Sequence, residues 1–191
     1  IRQLLPKCDA ILIGGGMMFT FYKAMGLEVG KSLVEQDRIA LAGELIAEAK
    51  SRGVKLLLPV DTVVADSFAN DAQRANVAVE AIGEEWMGMD IGTATQALFT
   101  QEITSAKTVV WNGPMGVFEM PNFAHGTRAV ADAMVLATQN GATTIIGGGD
   151  SAAAITQFHL EKEVTHVSTG GGASLEFLEG KVLPGVQALD N

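Results

Sequence analysis

Three triple-glycine runs divide this chain, and each stands where a short apolar run gives way to a helical pattern. They are Gly14-Gly15-Gly16 after residues 10–13, Gly147-Gly148-Gly149 after residues 143–146, and Gly170-Gly171-Gly172 after Val167-Ser168-Thr169. A glycine turn between strand and helix lets backbone N–H groups approach a ligand closely, and the helix N-terminus behind it favours anions. In open α/β sheets ligands sit outside the carboxyl ends of the strands, where all three runs would fall. Any one of them could serve a tight turn and nothing more. Three in one chain point to a phosphate-bearing ligand, most simply a nucleotide.

The 191 residues are 48% hydrophobic, which suits one domain over residues 1–191 with a substantial core. A net charge of −9 speaks against a nucleic-acid partner, because no basic stripe is available to release counterions. An anionic ligand must instead be held by backbone dipoles, a metal, or cations supplied from elsewhere. Cys8 is the single cysteine, so no internal disulfide is possible, which fits a reducing compartment. With no histidine near it in sequence, it reads as an inert thiol. No run approaches the roughly 18 consecutive apolar residues of a membrane span, so no membrane partner is expected. Ile1-Arg2-Gln3-Leu4-Leu5-Pro6 reads as the tail of a helix, without Met, cap or targeting signal, as expected of a piece of something longer.

Strand and helix patterns alternate along the chain. Strands are expected at residues 10–13, 54–59, 86–90, 108–111, 143–146 and 165–168, with 62–65 as a short accessory strand. Helices are expected at 17–25, 36–50, 94–103, 123–139, 151–158 and 173–178, while the polar span 66–83 reads as loop. Such alternation predicts an α/β fold: a three-layer Rossmann-like domain with a parallel sheet of about six strands. Right-handed crossovers then line the glycine loops along one sheet edge.

The run Gly147-Gly148-Gly149-Asp150-Ser151-Ala152 fits the dinucleotide pattern G-x-G-x-x-A, yet Asp150 would repel a pyrophosphate on the helix N-terminus. A Mg²⁺ ion bridging the Asp150 carboxylate to nucleotide phosphates removes that conflict, and Ser151 can add its hydroxyl or N–H. A plain N-cap aspartate is the alternative. Gly170, Gly171 and Gly172 carry no acidic neighbour and offer a nest of N–H groups for a phosphoryl group. Gly14-Gly15-Gly16-Met17-Met18-Phe19 has no polar side chain and suits the flat face of a base. Gly26-Leu27-Glu28-Val29-Gly30-Lys31-Ser32 mimics a P-loop but is one residue short and follows a helix, so it is rejected. Trp111-Asn112-Gly113-Pro114-Met115-Gly116-Val117-Phe118-Glu119 leaves a strand end and presents one carboxylate. Glu119 is suited to accept both ribose hydroxyls, or else is a solvated loop residue. His125, His159 and His166 share no metal-ligand spacing. A nicotinamide-dependent oxidoreductase and a non-catalytic nucleotide-binding module stand as rival readings.

These segments occur in order with Leu58-Pro59-Val60-Asp61, Trp86-Met87-Gly88-Met89-Asp90 and Leu178-Glu179-Gly180-Lys181-Val182-Leu183-Pro184. Together they closely resemble the nucleotide-binding C-terminal domain of the phosphoglycerate kinase family. The resemblance implies that Gly14, Gly15, Gly16, Phe68, Gly88 and Met89 line an adenine slot, Met89 standing where many members have Leu. It implies that Asn112, Pro114, Gly116, Val117 and Glu119 hold adenosine, with Glu119 on the ribose. Gly148, Gly149, Asp150 and Ser151 would bind the phosphates and, through Asp150, Mg²⁺. Gly149, Gly170, Gly171 and Gly172 would attend the phosphoryl group in transfer.

The family's Gly-Gly-Ala-Lys segment, with a further lysine one turn on, falls upstream of this chain, as does the N-terminal substrate domain. The resemblance therefore implies the ATP/ADP half of a glycolytic kinase that acts as a monomer, in the cytoplasm or a plastid. Phosphoryl would move between 1,3-bisphosphoglycerate and Mg·ADP, giving 3-phosphoglycerate and ATP, with the acyl-phosphate held by the other domain. On its own this half is expected to be inactive.

Overall fold

A computed structural model describes residues 1–168 together with Glu176, Gly180, Lys181 and Gln187. Its strands are β1 (Ala10–Leu12), β2 (Lys55–Leu57), β3 (Asp61–Ala65), β4 (Arg74–Ala78), β5 (Met87–Ile91), β6 (Thr108–Asn112), β7 (Thr143–Gly147) and β8 (His166–Val167). Its helices are α1 (Met17–Ala24), α2 (Ile39–Arg52), α3 (Thr93–Ser105), α4 (His125–Gln139) and α5 (Gly149–Gln157). The fold is α/β and Rossmann-like. β1 runs parallel to β2, and β6, β7 and β8 form a parallel set in that order, with helices carrying each crossover.

Local chemistry explains where the helices stop and which way they face. α2 ends at Gly53, whose φ of +70° is left-handed, and its N–H closes back on Ala49 and Lys50 carbonyls. α4 buries Gly126, Thr127, Val130, Ala131, Met134 and Ala137, a stripe at three- and four-residue spacing, and leaves Arg128 and Asp132 paired outside. The small residues of that stripe let α4 pack against α3, β5 and β7. Phe99, Trp111, Met134, Ile146 and Ile155 belong to the principal core, with Tyr22, whose hydroxyl donates to the Pro59 carbonyl at 2.8 Å. A smaller cluster gathers Ala65, Met89 and Phe123, with Val117 and Met120 packed on it.

The sheet's membership differs from the sequence expectation. The strand expected at residues 86–90 is β5, which starts at Met87, lies antiparallel to β3 and stands outside the parallel ladders. Residues 62–65, expected as an accessory strand, fall in β3, the middle strand of an antiparallel sheet ordered β4-β3-β5. The span 66–83, expected as loop, contains β4, paired with β3 from Asp61↔Ala78 to Ala65↔Arg74. The side chains of β4 are mostly exposed, so no apolar alternation marks it in the sequence; pairing with β3 makes it a strand. Five described strands therefore run parallel, in two hydrogen-bonded groups, and β1 and β6 each keep one edge without a ladder partner among the described residues. Of the helix expected at 173–178, all but Glu176 lies outside the described residues. Among the described residues no helix is long and apolar enough to cross a membrane.

Candidate functional site

The C-terminal ends of β1, β6 and β7 carry the first two glycine runs and the 112–119 turn, and backbone contacts join them. Gly15 has φ +61° and donates its N–H to the Met115 carbonyl at 3.2 Å. A Cβ on Gly15 would stand 2.8 Å from the Pro114 carbonyl oxygen, and one on Gly14 would strike the Met115 sulfur. At the other flank, Gly148 (φ +83°) packs against the Asn112 amide, 3.0 Å from where a Cβ would lie. The Gly113 N–H donates to Ser151 Oγ at 2.6 Å. These loops form one surface.

The turn itself is held from below. Trp111 donates its indole N–H to the Gly113 carbonyl at 2.7 Å. The Met115 and Gly116 N–H groups converge on Thr127 Oγ1 at 3.1 and 3.3 Å. Val117 donates to the Met89 carbonyl at 2.9 Å, and Phe118 is buried beneath the chain. Glu119 follows immediately and is exposed, so the buried phenylalanine fixes where the carboxylate emerges. Asn112 is exposed, while Pro114, Gly116 and Val117 are half-buried.

On the base side, Gly88 lies under the Phe19 ring, where any Cβ would collide, and its N–H donates to Ser32 Oγ at 2.9 Å. Met89 is buried in the small cluster with Ala65 and Phe123. Phe68 is 64% exposed on the connection between β3 and β4. That connection is tied to the 121–123 segment, because Asn122 donates to Asn70 Oδ1 at 3.1 Å and to its carbonyl at 2.6 Å. Gly16 faces Leu33, an exposed apolar residue that the sequence reading did not single out.

On the phosphate side, α5 begins at Gly149 with no side-chain cap at its N-terminus. A Cβ on Gly149 would meet nothing within 4 Å, and Ala152 is the first residue whose N–H bonds back, to the Gly148 carbonyl at 3.0 Å. Among the described residues the N–H groups of the opening turn have no acceptor, which leaves them to an anion. Asp150 is the second residue of α5, exposed and capping nothing, which removes the N-cap alternative. Ser151 corrects the sequence reading in part: its hydroxyl is buried and accepts from Gly113, so it braces the turn, leaving its N–H toward the helix end. Gly170, Gly171 and Gly172 lie outside the described residues. No group of three or more His, Cys, Asp or Glu could hold a metal among the described residues. A cation here would thus have one protein carboxylate and take its other ligands from phosphate and water, the coordination Mg²⁺ favours.

Two buried carboxylates that the sequence reading passed over support the turn and the helices. Asp61 accepts from Asn76 and the Ala94 N–H, both at 2.9 Å, from the Thr95 N–H at 2.8 Å and from the Thr95 hydroxyl at 2.6 Å. Burial alone would push its pKa up, but these donors outweigh it and hold the carboxyl below its ordinary value. Among the described residues the Asp90 carboxylate, 1% exposed, accepts only the Ile91 N–H at 2.8 Å and the Gly126 N–H at 2.7 Å. There burial wins, and its pKa rises to about 7. Its only sequence signal was membership of the Trp86–Asp90 motif.

The rejected P-loop look-alike is a strut: the Lys31 N–H donates to the Trp86 carbonyl at 2.8 Å, its side chain pairs with Glu85, and Ser32 receives Gly88. Cys8 is half-buried, donates to the Leu4 carbonyl at 3.0 Å, and has its pKa raised by burial, as an inert thiol should.

A family model described as phosphoglycerate kinase matches residues 1–181. A phosphoglycerate kinase of Synechococcus elongatus is 59% identical over 191 residues, covering 100% of this chain and 48% of the relative. A chloroplastic phosphoglycerate kinase of Volvox carteri is 60% identical over 190 residues, covering 100% of this chain and 41% of the relative. The solved structure of phosphoglycerate kinase from Coxiella burnetii superposes with a TM-score of 0.94 at 42% identity, over 99% of this chain and 48% of that one. The chain thus spans about half the length of the relatives it matches.

Proposed function

This chain belongs to the phosphoglycerate kinase family, and on that premise we propose that it forms the nucleotide-holding half of a phosphoryl-transfer enzyme. The donor and acceptor pair is 1,3-bisphosphoglycerate and Mg·ADP, giving 3-phosphoglycerate and Mg·ATP. The observation that carries the reading is the open first turn of α5 beside the 112–119 turn. There free N–H groups and an exposed, non-capping Asp150 stand one loop away from an exposed Glu119.

In this reading Gly14, Gly15, Gly16, Phe68, Gly88 and Met89 form the base side. Asn112, Pro114, Gly116 and Val117 shape the adenosine path, and Glu119 accepts the ribose hydroxyls. Gly148, Gly149 and the Ser151 N–H meet the phosphates, with Asp150 toward Mg²⁺. The ion, when bound, neutralises phosphate charge. Phosphoryl transfer asks for positioning and charge neutralisation more than covalent chemistry, which suits a site of backbone donors with one carboxylate. The N–H groups of Gly149, Gly170, Gly171 and Gly172 are assigned to the phosphoryl group in transfer. The phosphoglycerate side belongs to the part of the relatives that this chain does not span. By itself the chain is assigned adenine-nucleotide binding without turnover, and the whole enzyme is assigned to the cytoplasm or a plastid as a monomer.

Calorimetric titration of ADP into wild type and Asp150→Ala, with magnesium and then with chelator, tests this. Wild type should gain affinity with magnesium. Asp150→Ala should lose most of that gain and leave metal-free binding equal or slightly better, since a negative charge beside the phosphates is gone. A magnesium response that survives the substitution refutes the Asp150 assignment. Tighter binding of NAD than ADP, improved by the same substitution, would return the oxidoreductase reading.

A further inference from the structure

We propose that Thr127, with Asp90 beside it, is a positioning residue for the nucleotide: it sets the turn that presents Glu119 in register with the base-side strand β5. This rests on the nucleotide reading above. Two successive N–H groups, of Met115 and Gly116, point at one acceptor, the Thr127 hydroxyl, at 3.1 and 3.3 Å. Thr127 is fully buried in the first turn of α4, so that hydroxyl meets no water, and the buried Met115 amide has no solvent to fall back on.

α4 is itself located by Asp90, which accepts the N–H of Gly126, the residue just before Thr127, at 2.7 Å. Gly116 and Gly126 both lie flush against the Asp90 carboxylate, and a Cβ on either would collide with it. The Asp90 carbonyl accepts the Thr62 hydroxyl at 2.8 Å, which fastens the strand to β3. One residue along the turn, Val117 donates to the Met89 carbonyl. A continuous set of contacts thus runs from Gly88 and Met89 through the buried Asp90, Gly126 and Thr127 to Met115 and Gly116. Asp90, Gly126, Thr127 and Met115 are buried and stand apart from the exposed Glu119 and Asp150. Their contribution to binding is indirect: they fix the carboxylate that meets the ribose relative to the strand that meets the base.

The experiment is a double-mutant cycle in this chain, titrating Mg·ADP into wild type, Thr127→Val, Thr127→Ser, Glu119→Gln and the Thr127→Val/Glu119→Gln pair. Val keeps the shape of Thr and deletes the shared acceptor, whereas Ser keeps the acceptor. Thr127→Val should weaken ADP about 3- to 10-fold, the loss expected from one or two hydrogen bonds, and Thr127→Ser should stay within about twofold of wild type. Glu119→Gln should cost clearly less in the Thr127→Val background than in wild type, because a mispositioned carboxylate has less to lose.

Additive losses, or a Thr127→Ser as weak as Thr127→Val, would show a general stability role and overturn the proposal. Wild type binding no ADP would sink the nucleotide reading itself, a distinct failure. A measurement on wild type needs no variant: the Met115 and Gly116 amides should be protected from hydrogen exchange before ADP is added. Exchange at the rate of an open loop would refute the preformed turn.

Discussion

Replacing Asp90 with Asn preserves the side chain's shape and deletes the charge that this site holds at most cost. Asp90 is 1% exposed, and among the described residues its carboxyl receives only two backbone N–H groups. Its pKa rises from 3.8 to about 7, driven by burial and only partly offset by the Gly126 and Ile91 donors. A carboxyl that binds its proton more tightly when folded contributes stability that is whole below about pH 3.8. That stability is lost progressively until about pH 7. At about 1.4 kcal/mol for each tenfold change in proton affinity, the loss has an upper limit of about 4 kcal/mol, and relaxation around the buried charge brings it toward 2–3.

Asn cannot ionise, but its amide can accept only one of the two N–H groups and turns a donor toward the other, costing about 1–3 kcal/mol at every pH. Urea unfolding of both proteins at pH 4.5, 6 and 7.5 separates these effects, because the remaining carboxylates titrate alike in both and cancel in the difference. Asp90→Asn should be the less stable protein at pH 4.5 and should gain on wild type by about 1–3 kcal/mol as pH rises to 7.5. A pH-independent difference would refute the buried titration. A difference that moves the other way would mean the two hydrogen bonds outweigh desolvation, as they do at Asp61.

Asp61→Ala removes three hydrogen bonds at the start of α3 and a fourth from Asn76 of β4, and by ordinary values for caps and buried polar groups should cost about 2–4 kcal/mol at neutral pH. Because the Asp61 pKa is lowered, its contribution is present above about pH 3.8 and is lost as pH falls through the folded value. The penalty read by urea unfolding should therefore shrink in acid, opposite to Asp90, and a penalty equal at pH 3 and pH 7 would contradict the assignment. Ser151→Ala removes the buried acceptor of the half-buried Gly113 N–H and should cost about 1 kcal/mol. Hydrogen exchange at the Gly113 amide should accelerate in that variant, and an unchanged rate would show that the serine does not brace the turn.

What the sequence determined by itself is local. Gly14 to Gly16 and Gly147 to Gly149 end apolar strands and open helices as read, because a left-handed φ at Gly15 and Gly148 is a property of single residues. The stop of α2 at Gly53 and the apolar stripe of α4 are legible for the same reason, since caps and helical spacing involve neighbours within a turn or two. The ordered motifs identified the family.

Only the tertiary structure decided what lies beneath the site. Asp90 meets Gly126 across 36 positions, and Gly113 meets Ser151 across 38. No pattern along the chain marks Thr127 as the acceptor for the 115–116 turn. The same holds for β4, whose exposed side chains give no period-two signal, and for β5, which the apolar run could not assign to a parallel or an antiparallel partner. Hydrogen-bond acceptors and strand partners are chosen by distance in space, and a buried carboxylate takes its pKa from how many donors the fold brings to it. Asp61 with four donors and Asp90 with two are the same residue type, shifted in opposite directions.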